Sequence, residues 1–403
     1  DREKFQKLIE KVGLKQPKSD ISLGTQELLS KSSKLNFPIL LRPSYVLGGR
    51  MMEKMNSIDD VQSYIDQNYW ALENNVILID EFLKDAKEVD VDILRDSSGN
   101  VMIAGIMEHI EEAGIHSGDS ACCIPPFSLS EQVINSIKKF SISLSQELKT
   151  IGLMNIQYAI KDEQIFILEA NPRASRTIPF LAKAIGIPFI KIAAELIAGK
   201  VLTDKFIEFK PEKLSYFAIK EAVFAFNKFP NTDVILGPEM KSTGEVMGID
   251  ENFEMAYLKS QIGAGQNLYN IRNIFISVKD EDKEDISKIA KSLSANGYNI
   301  LTTRGTHEFL SKKGIMSELV NKVAEGAPHV VEYIKDNKID LVINTTENKQ
   351  AIKDSFTIRR TSVDLNIPYY TNLRAAKILA KSLISLINQS ITVKPIQNHH
   401  LNS

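Results

Sequence analysis

Glu169-Ala170-Asn171-Pro172-Arg173 closes an apolar run, Ile165-Phe166-Ile167-Leu168. Residues two apart on a strand point to the same face, so Glu169 and Asn171 would present a carboxylate and an amide oxygen side by side. Both are hard oxygen donors of the kind magnesium takes. Magnesium keeps waters and phosphate oxygens as its other ligands, so few protein ligands suffice. Gln157, on the neighbouring extended run, is a third candidate oxygen, and Arg173 and Arg176 lie just beyond. Taken alone, Asn-Pro at a strand end is also an ordinary surface turn. Gln157 and the two arginines tip the balance toward a metal-phosphate site.

Arg42-Pro43-Ser44-Tyr45-Val46-Leu47-Gly48-Gly49-Arg50 is a second such segment. Paired glycines at a strand-loop-strand junction let backbone amides approach closely and cradle phosphate oxygens. Arg42 at the strand end would add a bidentate donor. The Gly-Lys-Ser/Thr ending of a Walker loop is absent, and a plain glycine hairpin with a solvated arginine fits these residues as well. Glu108-His109-Ile110-Glu111-Glu112-Ala113-Gly114-Ile115-His116-Ser117-Gly118-Asp119-Ser120 reads as a loop closing on nucleotide phosphate and substrate. Its histidines lack the helical His-Glu-x-x-His spacing of a zinc site. Val76 to Leu83 is an apolar strand ending in acid. Such an edge can offer backbone groups to an adenine, and Glu88 a carboxylate to a ribose.

Several elements must position these residues. Helices are predicted at 1–16, where Phe5, Leu8, Ile9 and Val12 recur at helical spacing, and at 25–35, 57–67, 130–151 and 178–200. Strands are predicted at 37–43, 51–55 and 76–82. Residues 88–95 alternate Val and Ile with acids, as a half-exposed strand does. The turn 96–100 returns it into 101–107. Residues 155–160 and 164–169 form another antiparallel pair. Residues 201–265 are mixed, with loops at 227–231 and 236–248. From Asn273 onward strands alternate with helices (274–278, 281–295, 298–302, 306–312, 341–343, 374–386), which implies a parallel sheet with covering helices. The residues divide into 1–200, 201–265, a small α/β domain at 266–390, and a polar, frayed tail at 391–403.

The 403 residues are 43% apolar and 25% charged, with net charge −2. A sizeable core is available, and neither nucleic acid nor an anionic membrane is indicated as a partner. The two cysteines, Cys122 and Cys123, are adjacent. Adjacent residues rarely meet disulfide geometry, so they read as small buried side chains in a reducing compartment such as cytoplasm. No run reaches the ~20 apolar residues of a membrane helix, and no export signal is visible. Asp1 opens directly into a helix, as a chain cut from a longer one would.

Together these segments resemble the ATP-grasp superfamily, whose members join a carboxylate to a nucleophile by way of an acyl phosphate. The resemblance is closer to carbamoyl-phosphate synthetase large chains. It is carried by residues 42–50, Met-Glu-His-Ile-Glu at 107–111, His-Ser-Gly-Asp-Ser at 116–120, Asn-Pro-Arg-Ala at 171–174, Phe-Asn-Lys-Phe-Pro at 226–230, Leu-Gly-Pro-Glu-Met at 236–240 and Ser-Thr-Gly-Glu-Val-Met-Gly at 242–248. It covers about residues 1 to 385, and the Tyr-Val-Leu form of the glycine loop is similar to the second of the family's two halves. That half phosphorylates carbamate.

The resemblance implies an α/β and α+β multidomain chain: an ATP-grasp fold followed by a small parallel-sheet, methylglyoxal-synthase-like domain. It implies nucleotide contacts at Arg2, Arg42, Glu81, Leu83, Glu88, Gly114, Ile115, His116 and Ser117. Glu81 departs from a variable family position, so its contact would be through backbone. It implies magnesium or manganese at Gln157, Glu169 and Asn171, and transferred phosphate and carbamate near Arg173 and Arg176. The loop with His109 and Glu111 binds potassium in some members, and Glu111, Asp119 and Glu221 resemble an ornithine site in some bacterial ones. Implied partners are carbamate from the other half of the large chain, a small glutaminase subunit, a nucleotide effector and a second copy of the chain. In the second domain Ser277, Lys283, Thr303, Thr306, Lys322, Asn344, Thr345 and Thr346 match effector-phosphate positions. Hydroxyls and amides at strand ends with two lysines would suit a phosphomonoester. A catalytic second domain would need a carboxylate in that pocket, with Asp340 and Asp354 the nearest in sequence. Two rival readings are another ATP-grasp ligase, such as a biotin carboxylase relative, and a binding fragment without turnover.

Overall fold

The computed structural model describes residues 2–43, 51–346 and 349–400. The glycine loop 44–50 and the side chain of Arg2 lie outside the described residues. The chain forms two compact units, Asp1–Ser215 with Leu236–Lys241 and Ile396–Ser403, and Tyr216–Ile235 with Ser242–Pro395.

In the first unit, β1 (Ser19–Leu23), β2 (Ile39–Pro43), β3 (Glu53–Met55) and β4 (Val76–Glu81) form an antiparallel sheet in the order β1-β4-β2-β3. Helix Ile58–Leu72 starts where Ser57 and Asp60 cap each other reciprocally. It buries Val61, Tyr64 and Leu72 against Ile39, Leu41, Ile77 and Ile79. The helix predicted at 25–35 forms only over Leu28–Ser32. Ser30 and Ser33 hydroxyls donate to the carbonyls of Glu27 and Ser30, competing with the backbone ladder.

The larger array of the unit runs β5 (Lys87–Arg95), β6 (Val101–His109), β7 (Cys122–Ile124), β8 (Gly152–Lys161) and β9 (Gln164–Asn171), ordered β7-β6-β5-β8-β9 and antiparallel throughout. Asp96 closes the β5–β6 turn by accepting from Ser98 N and Asn100 N, each at 2.9 Å. On one face Val89, Val91 and Ile93 pack on Ile9, Val133, Ile137 and Leu144 from helices Arg2–Val12 and Glu131–Leu148. The expected half-exposure of residues 88–95 is wrong. Asp90 and Asp92 are 2% and 0% exposed, because the acidic face is covered by protein rather than water.

The single helix predicted at 178–200 is two, Ile178–Ile185 and Phe189–Ile197. Gly186 takes the left-handed conformation at φ 82°, and Pro188 keeps Ile187 out of helical geometry. The tail expected to fray contains a short helix, Ile396–His400, with His399 buried. His400 pairs with the Lys183 carbonyl at 3.1 Å.

In the second unit, β10 (Phe217–Val223) and β11 (Gly244–Asp250) pair antiparallel and carry helix Phe253–Gly263. Gly248 is required there, since a Cβ would lie 2.1 Å from the Ala256 carbonyl oxygen. β12 (Asn273–Ser277), β13 (Asn299–Thr302), β14 (Glu318–Leu319), β15 (Leu341–Asn344) and β16 (Tyr369–Tyr370) form a parallel five-stranded sheet ordered β14-β13-β12-β15-β16. In such a sheet the carboxyl ends of the strands form the natural ligand crevice.

Candidate functional site

Strand register creates a polar lattice on the face of β5, β8 and β9 opposite the apolar core. One row is Asp90, Gln157, Glu169, and the next is Asp92, Asn155, Asn171, each residue directly opposite its neighbour. Gln157 Nε2 donates to Asp90 Oδ1 at 2.9 Å, so its amide oxygen is the atom that could ligate a cation. Asn155 Nδ2 donates to Asp92 Oδ1 at 3.1 Å. Asn171 Nδ2 donates to Glu169 Oε1 at 2.7 Å, and this pair is exposed. Three oxygen donors therefore lie on adjacent strand positions, two of them turned by hydrogen bonds through their amide nitrogens. This donor set fits a hard divalent cation that keeps waters and phosphate oxygens as its remaining ligands.

Arg173 and Arg176 sit in the segment after β9, both exposed. Arg173 N donates to the Asn171 carbonyl at 2.8 Å. Arg176 approaches Met240 of the same unit. Arg42 donates from Nε and a terminal nitrogen to Asp80 Oδ2 at 2.8 and 2.5 Å. Asp80 thereby fixes the fork and takes two of its five N–H groups.

The segment 81–88 meets the loop after β6. Gly114 N donates to Glu88 Oε1 at 2.9 Å, and a Cβ on Gly114 (φ 93°) would lie 2.8 Å from the Phe82 ring. Leu83, Glu88, Gly114 and Ile115 therefore belong to one neighbourhood. His116 N donates to Gly237 O, and Gly118 N donates to His116 Nδ1. The Glu81 carboxylate is committed elsewhere, accepting from Asn36 N and Nδ2 at 2.9 Å each. His109 faces the β5 acids. Its Nε2 lies 2.8 Å from Asp90 Oδ2 and its Nδ1 3.6 Å from Glu88 Oε2. Asp90, His109 and Cys122 bring N, O and S atoms within 4.8 Å of one another. Burial opposes charging of His109, but the Cys122 sulfur and the Asp90 carboxylate outweigh it and hold the imidazole proton well above its usual range. Burial pushes Asp92 up to about 6, against the lowering effect of the Thr177 and Ser175 hydroxyls.

Glu111 Oε2 accepts from Ala121 N at 2.6 Å and Asp119 Oδ2 from Lys241 N at 2.8 Å, both in the first unit. Glu221 belongs to the second unit, where it accepts from Gln261 Nε2. In that unit Ser277, Thr303, Asn344, Thr345 and Thr346 gather at the carboxyl ends of β12, β13 and β15. Ser277 and Thr303 hydroxyls are 3.0 Å apart, and Asn344 Nδ2 donates to Ser277 O. Tyr369, whose phenol burial keeps protonated, donates to Asn344 Oδ1 at 2.8 Å. Thr306 is buried in the first turn of helix Arg304–Lys312. Lys283 pairs with Asp280 at 2.7 Å, and Lys322 also acts on the Asp280 charge, so both lysines serve this end. Asp340 accepts from Arg272 N and Asn273 N at the opposite end of the sheet.

Sequence reasoning missed Asp90, Asp92, Asn155 and Thr177. The period-two pattern put the acids on one face, but only register reveals that they meet Gln157 and Asn155. No helix among the described residues is long and apolar enough to cross a membrane.

Residues 1–205 match the family model for the carbamoyl-phosphate synthase L chain, ATP binding domain, and residues 285–371 match the MGS-like domain. The carbamoyl phosphate synthase large chain of Myxococcus xanthus is 47% identical over 399 residues, covering 99% of this chain and 37% of that protein. That of Methanothrix thermoacetophila is 44% identical over 400 residues, with coverage of 99% and 37%. The chain thus spans well under half the length of these relatives. Among solved structures, a biotin carboxylase–β,γ-ATP complex from Campylobacter jejuni aligns with TM-score 0.51 at 14% identity, covering 65% of each chain. An ADP complex of N5-carboxyaminoimidazole ribonucleotide synthetase aligns with TM-score 0.50 at 17% identity, covering 65% of this chain and 69% of that one. These likenesses establish an ATP-grasp type of fold.

Proposed function

The chain belongs to the carbamoyl-phosphate synthase large-chain family, and from that premise we propose that it carries the unit that phosphorylates carbamate with ATP. The observation that carries this reading is the cluster of Gln157, Glu169 and Asn171 on adjacent strands, flanked by Arg173 and Arg176. Bound magnesium, or manganese, would neutralise phosphate oxygens at these three ligands. Arg42, Arg173 and Arg176 would orient the terminal phosphoryl group and meet its equatorial charge. Glu88, Leu83, Gly114, Ile115, His116 and Ser117 would hold the nucleoside end, with Glu81 contributing backbone only and Arg2 near the same nucleotide. A carbamate oxygen then bonds to the γ-phosphorus, the bridging P–O bond breaks, and ADP leaves. No side-chain nucleophile is needed, so positioning and water exclusion supply the rate.

Residues 1–200 and 201–265 would form the synthetic unit, 266–390 an effector module and 391–403 a tail. Ser277, Lys283, Thr303, Thr306, Lys322, Asn344, Thr345 and Thr346 suit an effector phosphomonoester. Potassium near His109 and Glu111, carbamate supplied by the other half of the large chain, a glutaminase subunit, a second copy of the chain and a cytoplasmic setting complete the proposal. The test is to supply the intact synthetase with ATP, magnesium and carbamate. Carbamoyl phosphate should form in step with ADP. ADP release without it, or transfer to a different carboxylate, would refute the reading.

A further inference from the structure

We propose that Asp92 is a positioning residue that fixes the arginine-bearing segment 172–177 against the ligand strand, acting through Asn155 on one side and Thr177 on the other. The inference rests on the metal-phosphate reading of Glu169, Asn171, Arg173 and Arg176.

Asp92 is fully buried. Its Oδ1 accepts from Asn155 Nδ2 at 3.1 Å, and its Oδ2 accepts from Thr177 Oγ1 at 2.5 Å. Asn155 stands opposite Asn171, so one carboxylate oxygen is tied to the start of the segment through the β8–β9 ladder. The other oxygen holds its end. Between these anchors lie Arg173 and Arg176.

Thr177 donates its one proton to the carboxylate, and the Ser175 hydroxyl lies 2.8 Å from that of Thr177 and also acts on Asp92. Ser175 Oγ in turn accepts from Ile178 N at 3.2 Å. Thr177 occupies the N-cap position of helix Ile178–Ile185 yet makes no side-chain cap bond. An N-cap threonine ordinarily spends its hydroxyl on the helix. Here that hydroxyl is diverted to Asp92, and Ser175 serves the helix amide instead. The sequence Ser175-Arg176-Thr177 thus places an arginine between two hydroxyls locked to one buried carboxylate.

Asp92→Asn keeps the shape but offers one acceptor oxygen. With Asn155 donating to that oxygen, the new amide nitrogen faces Thr177, whose hydroxyl then finds no acceptor there. The experiment follows ATP formed from ADP and carbamoyl phosphate by the intact synthetase, with ADP affinity from calorimetry and thermal midpoints measured alongside. Asp92→Asn and Thr177→Val should each lower kcat ten- to a hundredfold, the range for lost positioning contacts. ADP affinity should stay within about threefold, because the nucleoside end is held elsewhere. Thr177→Ser should restore kcat to within about threefold of the parent, and the double variant should be no worse than the weaker single one. Folded variants with near-parental kcat overturn the proposal, as do losses that track the thermal midpoint and are not restored by serine. If Asp92→Asn does not fold, the two Thr177 variants decide alone. A parent enzyme that forms no ATP sinks the functional reading and this proposal together. An active parent with indifferent variants sinks the proposal only.

Discussion

At the scale of single residues, the site is a set of oxygen donors on the surface backed by carboxylates beneath it. Asp92 gives this layer a measurable signature. Its folded pKa is raised to about 6 from an ordinary 3.8, with burial the main cause. The folded chain therefore binds the proton more tightly than the unfolded chain. The associated stabilisation is fully present below about 3.8 and is lost as pH rises through about 6. Relative to Asp92→Asn, which does not titrate there, the parent should lose thermal midpoint between pH 4 and pH 7. A constant difference across that range would refute the assignment. Glu169, Asn171, Gln157 and the arginines were legible in the sequence because strand ends followed by Asn-Pro-Arg mark themselves. Asp90 and Asp92 were not. Alternating acids look the same in sequence whether they face solvent or protein, and the partners that bury these two, His109 and Gln157 for Asp90 and Asn155 and Thr177 for Asp92, come from other strands and a loop.

At the scale of elements, the strand ladder does the positioning. Two registers, β5 with β8 and β8 with β9, place three polar residues in line twice over. The hairpin turns at 96–100 and 161–163 were readable from Asp, Gly and charged residues at fixed offsets. The break at Gly186 to Pro188 is masked in the sequence, although both residues disfavour helix, because apolar spacing resumes beyond it. In the second unit the tight approach of β11 to helix Phe253–Gly263 was invisible, since a glycine in a strand does not name what it touches. That approach gives the next prediction. At Gly248 a methyl group would meet backbone, at 2.1 Å from Ala256 O and 2.4 Å from Ser260 N. Backbone cannot swing aside as a side chain can. Gly248→Ala should cost at least about 2 kcal/mol in denaturant unfolding of the second unit. A midpoint equal to the parent's would show that the strand and helix separate freely.

At the scale of the molecule, two compact units carry two different polar sites, and the proposal gives each a phosphate to bind. The first presents oxygen donors and arginines, and the second gathers hydroxyls and two lysines at the ends of parallel strands. The alternation of strands and helices after Asn273 made the second architecture legible. The short strands β14 and β16 escaped notice because two residues give no period. Lys283→Ala should weaken binding of a nucleoside monophosphate at least tenfold by calorimetry, as loss of a charged phosphate contact does. Undiminished affinity would move the effector site elsewhere. The central claim, transfer between ATP and carbamate at the Glu169 row, is tested most directly in reverse. Intact synthetase given ADP, magnesium and carbamoyl phosphate should make ATP, and Glu169→Ala should make less than about a hundredth as much while keeping the parent's thermal midpoint. ATP formation that persists in Glu169→Ala would contradict the account.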